Sequence, residues 1–132
     1  MMRSPIRLFA LVVPLCAFVV SLGASPVRAA GEGEPPANAD ITPAKGVIDV
    51  KGHLGWHINT DYRWRIQLAD GTKFDKEKNP DRFEFDAADD KLGGPAHVRV
   101  HAPSGAVLIS GAVCSTGSGQ CESFSKVPLT VP

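Results

Sequence analysis

Beyond residue 23 no stretch of this chain is apolar for long enough to cross a bilayer, basic charge never gathers into a patch, and cysteine occurs three times in 132 residues. The first absence excludes a second membrane segment. The second argues against nucleic acid as a partner. The third confines any thiol chemistry to Cys16, Cys114 and Cys121. Also missing are a sustained helical period, a nucleophile–base–acid set, a phosphate-cradling glycine loop and a pair of carboxylates at catalytic spacing. No cofactor and no metal is expected.

What is present begins with a targeting pattern. Residues 1–29 open on a basic segment with Arg3 and Arg7, continue through an apolar run from Leu8 to about Gly23, and end on Val27-Arg28-Ala29. That order is the pattern of a secretory signal peptide cut after Ala29. Pro14 interrupts the apolar run, which falls short of the ~20 residues of a membrane span. Cys16 lies deep inside that run, behind Val13-Pro14-Leu15, so a lipidation site is not expected and this cysteine leaves with the signal. The signal carries three arginines and no acid, so the exported chain is net acidic. Its length, roughly a hundred residues, suits one domain with one core. The destination is the periplasm or the medium. The two remaining cysteines meet an oxidising compartment there, where a disulfide is the default.

Residues 30–45 are rich in Gly, Pro, Ala and acids without apolar periodicity, and read as a disordered leader. From residue 46 to 132 the pattern is that of strands. Val47–Gly52 is Val- and Ile-rich. Tyr62–Leu68 alternates, with Tyr62, Trp64, Ile66 and Leu68 on one face and Arg63, Arg65 and Gln67 on the other. Phe83 and Phe85 share a face, as do Val98 and Val100. Ala106–Val113 and Phe124–Val131 are apolar runs, and Pro128 suggests an edge or a bulge for the latter. About seven short strands separated by turns imply an all-β protein: an immunoglobulin-like antiparallel β-sandwich, with a small barrel as the alternative.

Chemistry concentrates in Cys114-Ser115-Thr116-Gly117-Ser118-Gly119-Gln120-Cys121. If the cysteines end neighbouring strands, the small residues between them permit closure. The bridge is then either a structural staple or a reversible dithiol. Glu122 beside the pair is an anion, which does not favour a reactive thiolate. His53/His57 and His97/His101 each have the spacing that joins two rings on a helix. On a strand the two rings stand about 13 Å apart, too far for one ion. Asp75–Asp81 resembles a calcium loop only superficially, because Pro80 occupies the position that needs glycine. Trp56, Tyr62 and Trp64 could form an aromatic platform if exposed, but Trp64 is expected in the core.

Gly55-Trp56-His57-Ile58-Asn59, taken with the late run into Cys114 and Cys121 and the Val/Leu-rich strand after it, resembles the N-terminal periplasmic domain of the bacterial thiol:disulfide interchange (Dsb-type) reductase. It is similar, too, to small uncharacterised secreted bacterial proteins with the same motifs. The resemblance implies an immunoglobulin-like fold. It also implies that Cys114 and Cys121 correspond to an exchange-active pair working on periplasmic protein thiols and disulfides. The competing expectation is a non-catalytic binding or structural domain in which the same bridge is permanent.

Overall fold

The computed structural model describes residues 27–29 and 31–132. The expected signal peptide, Cys16 included, lies outside the described residues except for its last three. Among the described residues ten strands occur in chain order: β1 (Val27–Ala29), β2 (Ala39–Ala44), β3 (Val47–Gly52), β4 (Trp56–Ile58), β5 (Arg65–Leu68), β6 (Lys73–Asp75), β7 (Phe83–Phe85), β8 (His97–His101), β9 (Gly105–Ser115) and β10 (Cys121–Val131). A 3-10 turn, Pro80–Arg82, precedes β7.

The strands form two sheets. One runs β1-β10-β9-β5-β6, with β4 joined to β9 beyond the end of β5; the other runs β2-β3-β8-β7. All pairs are antiparallel except the short β1–β10 contact. Alternation along each strand places the apolar residues between the sheets. Ile48, Val50, Val98, Val100 and Phe83 come from the four-stranded sheet, and Ile58, Ile66, Ile109, Val113, Phe124 and Val131 from the other, all buried. This is the expected all-β sandwich. The strand count exceeds seven because three-residue pieces such as β4 and β6 look like turns in sequence.

Trp64 is the centre of the core. Its ring is fully buried, meets Phe124 and Phe85 edge-on, and donates from Nε1 to the Asn59 carbonyl at 2.7 Å. Gly111 lies directly beneath it, where any side-chain carbon would overlap the indole. Trp64 itself precedes β5. The strand expected over Tyr62–Leu68 begins only at Arg65, because Tyr62–Trp64 closes a tight turn through the Trp64 N–H and the Tyr62 carbonyl. The inward alternation of Trp64 and Ile66 nevertheless holds.

The expectation of a disordered leader at residues 30–45 is corrected by the structure. β2 lies within that stretch and pairs with β3 along its whole length, from Ala39↔Gly52 to Ala44↔Val47. Ala39 is buried, Ile41 packs on the core, and Pro43 is accommodated because β2 is an edge strand. Before β2 the chain acts as a strap. The Gly33 N–H bonds the Ser125 carbonyl at 2.7 Å, and residues 37–38 hold Glu122. Acid- and proline-rich composition hid this order because the strap is held by backbone bonds rather than by an apolar period.

β10 bends at its middle. Phe124 pairs Gly111 and Val127 pairs Ile109, so Ser125 and Lys126 together face Ser110. This is a β-bulge. Lys126 takes the left-handed conformation, with φ 51° and its N–H on Ser110 Oγ at 3.0 Å. Pro128 follows the bulge, beyond the stretch of β10 that pairs with β1, in keeping with the sequence reading.

Candidate functional site

β9 and β10 are the longest strands, and their shared turn carries the cysteines. Cys114 and Cys121 are directly opposite one another and are bonded, with Cα atoms 3.9 Å apart. The separation is below the ~4.4–6.8 Å usual for bridges. The pair occupies a narrow site of the antiparallel ladder, flanked by the Ser115 N–H to Gln120 carbonyl bond at 2.6 Å. The sulfurs lie on the outer face of the sheet, because the adjacent pair Val113↔Glu122 faces the core. Cys114 is 8% exposed, while Cys121 is partly open to solvent.

On the other side of β9, His57 pairs with Cys114, so His57, Cys114 and Cys121 form one row across three strands. Gly93 and Gly94 pass over the imidazole; a side-chain carbon at Gly94 would run into its ring. The ring is oriented by Thr116. The Thr116 hydroxyl donates to the Leu92 carbonyl and therefore accepts from His57 Nδ1, 3.2 Å away. That arrangement puts the proton of the neutral ring on Nδ1 and leaves Nε2 as the acceptor. The His57–disulfide row was legible only as two separate motifs, since nothing in the sequence states that β4 lies against the end of β9.

The sequence reads Glu122 as an anion beside the pair that does not favour a reactive thiolate. It points the opposite way, into the end of the sandwich, and is 6% exposed. Its carboxylate accepts the Ala37 N–H, the Asn38 N–H at 3.3 Å and Asn38 Nδ2 at 2.7 Å. A buried carboxylate so bonded is satisfied, and it ties β10 to the strap that leads into the opposite sheet.

The other histidines do not converge. His53 bonds Asp40 at 2.9 Å, His97 bonds Asp49 at 3.1 Å and His101 bonds Glu84 at 3.2 Å. Among the described residues no group of His, Cys, Asp and Glu is arranged to hold a metal ion. The segment likened to a calcium loop is divided between β6 and the 3-10 turn. Of the aromatics, Trp64 is buried while Trp56 and Tyr62 pack partly against the core, so no exposed platform forms.

The outer face of the four-stranded sheet is a lattice of charge. Asp49↔Arg99↔Glu84 form a row across β3, β8 and β7. Diagonal pairs His97–Asp49, Arg99–Asp86 and His101–Glu84 join its neighbours. The bond that Arg99 Nη1 donates to Asp86 Oδ1, at 2.7 Å, holds the guanidinium above its ordinary range.

No protein-family model, no curated protein and no solved structure matches this chain.

Proposed function

We propose that the chain is an exported, non-catalytic β-sandwich, a binding or structural module in which Cys114–Cys121 is a permanent staple. The observation that carries this reading is the position of Cys114, 8% exposed and bonded directly across the turn end of the longest hairpin. A bridge there fixes the register of β9 on β10, and with it the inward placement of Glu122 and Phe124. Export rests on the signal pattern of residues 1–29, and an oxidising destination, periplasm or medium, is what lets such a bridge persist. Removal of the signal after Ala29 takes β1 away. Among the described residues β1 pairs only with β10 and over three residues, so the remaining ladders of the sheet do not depend on it.

The staple reading is tested by the order of events on reduction. With dithiothreitol in excess, cleavage of the bridge is expected to follow unfolding and to accelerate with added urea. Rapid cleavage of the fully folded protein, independent of urea, would overturn it.

One observation favours thiol–disulfide exchange as a second reading, in line with the resemblance to the reductase domain: Cys121 is partly exposed and His57 stands in the same row. A partner thiolate would attack the Cys121 sulfur and form a mixed disulfide. The electron pair of the broken S–S bond would pass to Cys114 as a thiolate, which takes its balancing proton from solvent. Partner adducts trapped on a Cys114→Ser variant, and absent from a His57→Ala, Cys114→Ser double variant, would support this alternative.

A further inference from the structure

The outer face of the other sheet differs in kind. Arg63, Arg65 and Lys126 converge on a hollow of about 260 Å³, together with Tyr62, Gln67 and Leu108, and among the described residues no acid lines it. Lys126 is delivered there by the bulge and its left-handed backbone, an uncommon conformation for a residue with a side chain. Arg65 is held from one side by Asp75 at 2.5 Å, and Lys126 is met from the strap by Glu32 at 3.4 Å. Among the described residues Arg63 makes no ion pair.

Gln67 and Leu108 also belong to the wall of a second hollow, of about 430 Å³. This one is lined mostly by carbon: Ala106, Leu108, Pro128 and the aliphatic part of Thr130 form its floor across β9 and β10. The two hollows therefore make one trough along the sheet, cationic at the bulge end and apolar at the other. Small-ligand sites have this character, an apolar body with a few convergent polar groups that fix orientation.

We propose that this trough binds an amphipathic carboxylate, a molecule with an acid head and an apolar tail. The head sits among Arg63, Arg65 and Lys126, and the tail lies over Leu108 toward Pro128. The chemistry of the head follows from the chain's own partners there. Both groups that already reach these cations, Asp75 and Glu32, are carboxylates, and a guanidinium matches the two oxygens of a carboxylate with parallel donors. The tail follows from continuity with the apolar hollow. Glu32, on the strap, then acts as an internal competitor that a ligand head displaces from Lys126. This inference rests on the reading of the chain as a binding module. The two fail separately, since the state of the disulfide is read by reduction and the trough by ligand titration.

The test is calorimetric titration of the oxidised protein with decanoate below its micelle concentration, with decanol and acetate as probes that each lack one half. Saturable one-to-one binding of decanoate is expected, with decanol at least about tenfold weaker, since a bond to a charged partner is worth roughly that factor or more, and acetate at least about tenfold weaker because it has no tail to bury. Arg63→Gln and Lys126→Gln, both at exposed positions, should each weaken decanoate about tenfold, and Leu108→Ser should weaken it without changing acetate. Glu32→Gln should tighten decanoate binding. Absence of saturable binding, equal binding of acetate, or decanoate affinity unchanged in both Arg63→Gln and Leu108→Ser would each overturn the proposal. Circular dichroism of each variant confirms that the sandwich is intact.

Discussion

The two outer faces of this sandwich are built from the same kinds of residue and do opposite things with them. On the four-stranded sheet every histidine and arginine of β8 meets a carboxylate across the ladder, so the charges close on one another. On the sheet that carries the disulfide, three cations gather around one hollow while their carboxylates approach only from the sides. The first arrangement is a solvated face that specifies pairing. The second leaves attraction unspent toward an outside anion. The bulge is the origin of the difference: one additional residue in β10 turns Lys126 toward Arg63 and Arg65 and interrupts the regular cross-strand pairing that the other face enjoys.

Substitutions can break or sharpen that contrast. The largest effect belongs to the layer both faces share. Gly111→Ala forces a carbon into the Trp64 ring and should lower stability by about 3 kcal/mol in urea unfolding, the upper range for overpacking. Removing the bridge with Cys114→Ala and Cys121→Ala together should lower stability by about 2.5 kcal/mol, the chain-entropy value for so short a loop, with the sandwich still formed. Glu122→Ala leaves the donors of residues 37–38 unpaired and should cost about 2 kcal/mol by the same measurement. Asp49→Asn on the charged lattice should cost less than about 1 kcal/mol, because a half-buried surface pair that solvent still screens contributes little. A comparable loss from Asp49→Asn and Glu122→Ala would erase the distinction between the closed surface lattice and the buried clasp.

The smallest effect is a pH dependence. The Thr72 N–H, bonded to Asp70 in the β5–β6 turn, holds that carboxyl below its ordinary value. Its folded pKa thus lies under its unfolded one, so its contribution is complete above about pH 4 and fades as the pH falls through the folded value. Asp70→Asn should flatten the acid limb of the stability curve slightly, by lowering stability a little above about pH 4 and leaving it unchanged in stronger acid.

Alternation made much of the fold legible in advance. Trp64 and Ile66, Val98 and Val100, and Phe83 and Phe85 point where their period places them, because one side of each strand must face the other sheet. The cysteine pair was legible as well, since a short turn between two apolar runs brings strand ends together. The strap was not. Its order depends on Glu122, a charged residue whose burial makes sense only once the Ala37 and Asn38 donors are in place. Nor was the cationic trough, because Arg63 and Lys126 are far apart in the chain and meet only through the pairing of β5 and β10 on β9.

The central claim is that the bridge at the end of β9 and β10 holds the sandwich and does not trade electrons. A glutathione redox titration of the mature protein addresses it most directly, with the fraction of oxidised protein read by thiol alkylation and mass. A midpoint below about −300 mV is expected, the range of bridges that the glutathione pool does not open. A midpoint between about −120 and −270 mV, where disulfide oxidoreductases lie, would contradict it.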